Sequence, residues 1–166
     1  VAALVGVRAR VTYEAQAAIE LEMLATEWAS IQPSSGRPPT FRFDVEQDGG
    51  VSVVRLQRLL EDVIASRLAG ASPGETAWRF HKTMAEMVVT VCQRVAAETG
   101  LQTVALSGGC FQNRLLLTLA VPDLERAGFG VLLHRQVPCN DGGISLGQAV
   151  LAHFTATLDH SADEIH

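Results

Sequence analysis

Apolar residues recur every three or four positions along some stretches of this chain and alternate along others, and that pattern lays out its elements. Over residues 13–28, Ala17, Ile19, Leu21, Leu24 and Ala25 share one side while Glu20, Glu22 and Glu27 supply solvated positions. This predicts a helix that Thr12 can cap. Residues 32–39 are too rich in Pro, Ser and Gly for regular structure. Residues 41–45 alternate like a strand and return through Asp48-Gly49-Gly50 into residues 51–53, a hairpin signal. Two helices come next. The first covers residues 54–68 and stops at Gly70; the second opens with Ser72-Pro73-Gly74-Glu75, a capping box with proline at the first helical position. Ala77, Phe80, Met84, Met87, Val88, Val91 and Val95 then form the most regular stripe in the chain, which Gly100 ends.

The remainder alternates: strand 101–106, helix 112–120, strand 130–133, helix 144–157. Strand–helix–strand–helix order implies a parallel portion of sheet with right-handed crossovers, hence an α/β fold. One domain is expected over residues 1–157, followed by a polar, frayed tail at 158–166.

Composition narrows the partners. The 166 residues are 48% hydrophobic and 19% charged, the balance of a chain that folds. A net charge of −5 argues against nucleic acid as the main partner. Three cysteines without CxxC spacing support neither a disulfide framework nor a zinc site, which fits a reducing cytoplasm. No apolar run approaches the roughly 18 residues of a membrane span. Arg8 and Arg10 follow the apolar residues 1–7 rather than precede them, the reverse of a signal peptide. The chain starts in mid-pattern without Met and reads as a piece of something longer.

Two small-residue turns carry the candidate chemistry. Ser107-Gly108-Gly109-Cys110 and Asn140-Asp141-Gly142-Gly143 each sit between an expected strand and an expected helix, a layout that aims backbone N–H groups at an anion. No Lys-Ser/Thr follows the first, so it is not a Walker A loop, and GxGxxG is absent. It begins like the Leu-Ser-Gly-Gly signature of ABC transporters, but Cys110 replaces the Gln. Asn113 suits either a helix cap or a ribose or base contact. Asp141 suits either an N-cap or a ligand for a divalent metal that bridges phosphates. Glu14 is explained by a helix dipole. Cys110 and Cys139 lack an activating base and read as buried small hydrophobes, and His81 as a packed or hydrogen-bonded histidine. No two histidines fall at i, i+4 spacing, which argues against an internal histidine metal site.

Taken together, the run from Val104 through Ser107-Gly108-Gly109-Cys110-Phe111-Gln112-Asn113, the later Val137-Pro-Cys-Asn-Asp-Gly-Gly-Ile-Ser-Leu-Gly-Gln148, Tyr13-Glu-Ala-Gln-Ala-Ala18 and Arg79-Phe-His81 resemble, in order, the C-terminal end of the HypF family, the carbamoyltransferases of [NiFe]-hydrogenase maturation. The resemblance implies the second lobe of a TsaD-like domain with an actin/Hsp70/sugar-kinase-like fold, a short mixed sheet with flanking helices. It implies transfer of carbamoyl, made from carbamoyl phosphate and ATP as carbamoyl-adenylate, to the C-terminal cysteine of HypE for cyanide-ligand synthesis. Carried over, Ser107, Gly108, Gly109 and Asn113 hold nucleotide phosphate and nucleoside; Asp141 ligates the active-site metal; Gly142 and Gly143 let the phosphates approach; Glu14 and Gln16 line the cleft. Ala15 stands where the family more often has Gly. The histidines that complete the iron, zinc or magnesium site belong to the first lobe, so metal and activity are expected only with that lobe and the other N-terminal domains. A natural-product O-carbamoyltransferase lobe and a non-catalytic nucleotide-binding or docking module stay open as alternatives.

Overall fold

The computed structural model describes residues 1–163; residues 164–166, the end of the expected tail, lie outside the described part. Five helices and four strands follow in the order α1 (Gln16–Ile31), β1 (Asp44–Asp48), β2 (Val51–Arg55), α2 (Gln57–Leu68), α3 (Pro73–Thr99), β3 (Thr103–Leu106), α4 (Arg114–Arg126), β4 (Gly130–Leu133) and α5 (Ile144–Asp163). The strands make two short sheets, β1 with β2 and β3 with β4. This is a mixed α/β chain of short sheets with flanking helices. Among the described residues no helix is long and apolar enough to cross a membrane.

Two compact units are resolved: residues 1–104 with 113–131, and residues 105–112 with the chain from 132 onward. In the first, α1 and α4 pack on α3, the helix with the clearest apolar stripe. Its N-terminus is built as the residues dictate: Ser72 Oγ accepts from Glu75 N–H at 3.1 Å, and Pro73 occupies the first helical position. Gly74 faces α1 so closely that a Cβ there would sit 2.8 Å from Trp28 Cβ. Trp28 and Trp78 then meet with ring centroids 5.5 Å apart. Phe41, Leu59 and Val63 complete this core beside Leu21, Ala25 and Ala77. The hairpin pairs β1 and β2 antiparallel through Asp48–Val51, and Gly49 and Gly50 take the positive φ that a two-residue turn of that hand requires.

Several boundaries differ from the expected ones: β1 covers Asp44–Asp48 rather than 41–45, β2 runs to Arg55, α2 starts at Gln57 rather than 54, and β3 at Thr103 rather than 101. Helix α1 begins at Gln16, not Tyr13, because Ala15 adopts a left-handed φ of 60°. Thr12 therefore does not cap α1; its N–H and hydroxyl instead donate to Gln16 Oε1 at 2.8 and 3.2 Å. A left-handed turn is where Gly carries no Cβ penalty, so Ala15 holds this turn at a cost that Gly would not incur. Helix α4 runs to Arg126 with Pro122 inside it, beyond the expected end at Ala120. Helix α5 continues past residue 157 to Asp163.

The second unit holds the ends of β3 and β4, two 3₁₀ turns at Gly109–Gln112 and Asp141–Gly143, and α5. Ile144, Leu146, Val150, Leu151 and Phe154 of α5 are all exposed. Exposed apolar side chains along one helix are the kind of surface that protein partners cover.

Candidate functional site

The two glycine turns meet in the second unit. Gly108 adopts φ 103°, a conformation open to Gly, and this aims its N–H at the Cys139 carbonyl, 2.7 Å away. One hydrogen bond thus ties Ser107-Gly108-Gly109 to the residues that open the second turn. Across the same junction Ser107 Oγ lies 2.9 Å from His134 Nε2. The N–H groups of Gly109 and Cys110 have no partner among the described residues, whereas Phe111 N–H donates to Gly108 O. Against the expectation of buried thiols, Cys110 is exposed and Cys139 half-buried, because the short turns that carry them lie at the surface.

The second turn is capped by Asn140 rather than Asp141. Asn140 Oδ1 accepts from Gly142 N–H at 3.1 Å, and Gly143 N–H donates to the Asn140 carbonyl at 2.9 Å. These two N–H groups are therefore already committed within the turn. The Asp141 carboxylate is exposed and enters no hydrogen bond or ion pair among the described residues. With the cap supplied by its neighbour, capping does not account for this acid. Gly143 has a steric reason of its own: a Cβ there would lie 2.6 Å from the Pro138 carbonyl oxygen.

Glu14, Gln16 and Asn113 belong to the first unit. Glu14 is exposed and precedes α1, so it does not serve that helix's first turn. Gln16 is buried, accepts from Thr12 and donates to Glu20 Oε1 at 3.0 Å. Glu20 in turn pairs with Arg8, whose guanidinium holds the carboxyl below its ordinary range. Asn113 caps α4: its Oδ1 accepts from Leu116 N–H at 2.7 Å. Its Nδ2 lies 3.0 Å from His81 Nε2.

The His81 tautomer follows. Nδ1 faces the Ala77 carbonyl at 2.8 Å and must carry the proton, which leaves Nε2 to accept from Asn113. Burial pushes the imidazole below its usual range, against the raising effects of the Ala77 carbonyl and Glu22. His81 is thus neutral and structural. The unfolded chain takes up a proton near pH 6.5 that the folded one refuses, so the penalty is absent above that pH and grows below it. Stability is expected to fall by up to about 1.4 kcal/mol per pH unit as pH drops below about 6.5. Thermal melts between pH 7.5 and 5 check this, and a matching loss in His81→Gln excludes His81 as its source.

Glu22 is a residue that patterning assigns to solvent. Its carboxylate instead accepts from Arg114 and Leu115 N–H at 2.8 and 3.2 Å. With Asn113 on the next N–H, the N-terminus of α4 is filled by protein groups. His134, Asn140 and Glu22 all act through partners distant in sequence or through the cap of a short turn, which periodicity does not signal.

The chain matches, over residues 1–148, the family model described as the carbamoyltransferase Kae1-like domain, second subdomain. It is 39% identical over 155 residues to a carbamoyltransferase HypF homolog of Cupriavidus necator, covering 91% of this chain and 38% of that protein. It is 34% identical over 152 residues to the carbamoyltransferase HypF of a Synechocystis species, covering 89% of this chain and 18% of that one. Among solved structures, full-length HypF in a phosphate- and nucleotide-bound form superposes with a TM-score of 0.81 at 36% identity, over 91% of this chain and 19% of that chain. The chain therefore spans less than half the length of each of these relatives.

Proposed function

The chain belongs to the family of the Kae1-like carbamoyltransferase domain, as its second subdomain, and on that premise we propose that it is the nucleotide-binding lobe of a larger ATP-dependent carbamoyltransferase. The proposed reaction moves carbamoyl from carbamoyl-adenylate to the C-terminal cysteine of HypE in the cytoplasm. The cysteine thiolate attacks the carbamoyl carbon, a C–S bond forms, the C–O bond to the phosphate breaks, and AMP leaves with the electron pair. The nucleophile comes from the partner, in keeping with the lack of an activated one among the residues of the two turns.

The observation that carries this reading is the Gly108 N–H to Cys139 carbonyl hydrogen bond, which joins the two turns into one loop cluster with spare donors and one spare acid. Ser107 and the free amides of Gly109 and Cys110 would donate to the adenylate phosphate, stabilising charge as AMP departs. Asn113 retains one N–H and one acceptor site beyond its cap and its bond to His81, and would offer these to the nucleoside. Glu14, which is exposed, would line the nucleotide cleft. Gln16, with its amide committed to Thr12 and Glu20, would act by holding that segment in place. Gly142 and Gly143 would keep side chains away from the phosphates. The exposed apolar face of α5 supports the need for a first lobe, and the chain alone is expected to be inactive.

A resident metal does not fit the donor set of this chain by itself. Among the described residues no three of His, Cys, Asp and Glu come together to hold one, and Asp141 alone offers a single carboxylate. Asp141 would complete a site only with ligands from a first lobe.

In the complete protein that carries this chain, Asp141→Ala is expected to lower carbamoyl transfer to a HypE C-terminal peptide by about 100-fold or more, the scale of losing one electrostatic group at a reacting centre. Metal content should fall with it. Survival of both rate and metal would remove Asp141 from the site. Stoichiometric ATP binding by the complete wild-type protein without transfer would instead favour a nucleotide-binding module.

A further inference from the structure

We propose that His134 is a positioning residue that turns the Ser107 hydroxyl toward the nucleotide phosphate, an inference that rests on the glycine turns being the nucleotide site. Strand β3 ends at Leu106 and β4 at Leu133, so Ser107 and His134 are the first residues to leave two paired strands. Their side chains meet at 2.9 Å between Oγ and Nε2. The backbone following Ser107 is held by the bond from Gly108 N–H to Cys139, which restricts how that loop can re-aim the hydroxyl.

A hydroxyl has one proton, and its partner decides where that proton points. If Ser107 donates to a bare Nε2, its oxygen shows an incoming phosphate only lone pairs. If instead Nε2–H donates to Oγ, the hydroxyl proton is released toward the phosphate. A bound anion selects the second arrangement, because only then does an unbroken relay run from Nε2–H through Oγ–H to a phosphate oxygen. Each bond in such a relay strengthens the next, and a protonated ring would strengthen it further. Both side chains are exposed, so the pair stands open to solvent and to a ligand.

The test is a double-mutant cycle on ATP affinity, measured by calorimetry in the complete protein. Ser107→Ala and His134→Ala are each expected to weaken ATP binding by about 10-fold, the scale of one charge-assisted hydrogen bond. The double variant should be no weaker than either single one, since both remove the same donor. His134→Gln, whose amide can still donate to Oγ, should recover most of the affinity. Ring ¹⁵N shifts should show Nε2 protonated in the ATP complex. Losses that multiply, or a His134→Ala variant that binds normally while Ser107→Ala does not, would overturn the relay and leave the nucleotide site standing. An unchanged Ser107→Ala affinity would overturn both.

Discussion

Replacement of Phe41 by Ala is expected to lower the stability of the first unit by about 3–5 kcal/mol, the range for a fully buried phenylalanine. Phe41 is 2% exposed and fastens the stretch between α1 and β1 onto α3 at two points. Its N–H donates to Thr83 Oγ1 at 2.9 Å, and its ring lies under the Arg79 guanidinium at 4.2 Å. Arg79 then reaches the Pro39 carbonyl at 2.8 Å and Ser66 Oγ at 3.0 Å, linking α3 to the loop and to α2. Removing the ring leaves a cavity, takes away the cation's aromatic partner and loosens the loop's anchor at once. Net stability of a domain is of order 5–15 kcal/mol, so the loss approaches the scale at which the fold fails. Urea unfolding followed by far-UV circular dichroism checks it: the midpoint should drop with little change in slope. A loss below about 1 kcal/mol would mean that this segment is not seated on α3.

Gly143→Ala is expected to have the largest effect within the loop cluster. Its Cβ would sit 2.6 Å from the Pro138 carbonyl oxygen and 3.2 Å from Val137 Cγ1, and a carbonyl in the chain cannot swing aside as a side chain can. The strand exit would have to move. Cys139, which accepts from Gly108, follows directly on Pro138, so the displacement should reach the junction of the two turns. Forcing a methyl into such a space costs about 1–3 kcal/mol, or roughly 5- to 150-fold faster opening. Hydrogen exchange at the Gly108 amide reads this out. Gly142→Ala is the control: the nearest atoms to its Cβ would be the Asn140 side-chain oxygen at 3.2 Å and Pro138 Cβ and Cγ at 3.7 Å, all of them side-chain atoms rather than a chain carbonyl. If Gly143→Ala exchanges at the wild-type rate, the crowding account is wrong; if it opens the junction while the first unit melts normally, the turns form a local device. In the complete protein the same variant should weaken ATP binding if the proposed nucleotide site is correct.

Much of the fold is legible in the sequence, and each legible element has a local cause. The α3 stripe, its Ser72 cap and its Gly100 stop lie within one helix length, and the structure follows them from Pro73 to Thr99. The Asp48-Gly49-Gly50 turn fixes the hairpin because a two-residue loop demands residues tolerant of positive φ. Strand β4 lies where its apolar run predicts. Local cues fail at α1, where an Ala takes a left-handed turn that its residue type does not advertise. They fail again at Asn140 and Asp141, two adjacent residues equally suited to cap, of which only the first does so.

The sequence by itself determined which stretches become helix, strand or glycine turn, since periodicity, capping residues and chain stiffness act over a few neighbours. It also determined the family, because ordered motifs survive without any knowledge of contacts. The tertiary structure alone decided what those motifs are free to do. Glu22 fills the N-terminus of a helix some 92 residues away, and His81 engages Asn113 at a separation of 32. His134 finds Ser107 at a separation of 27. Such pairings depend on how packed elements bring distant segments together, and hydrogen-bonding capacity once used inside the protein is no longer available to a ligand.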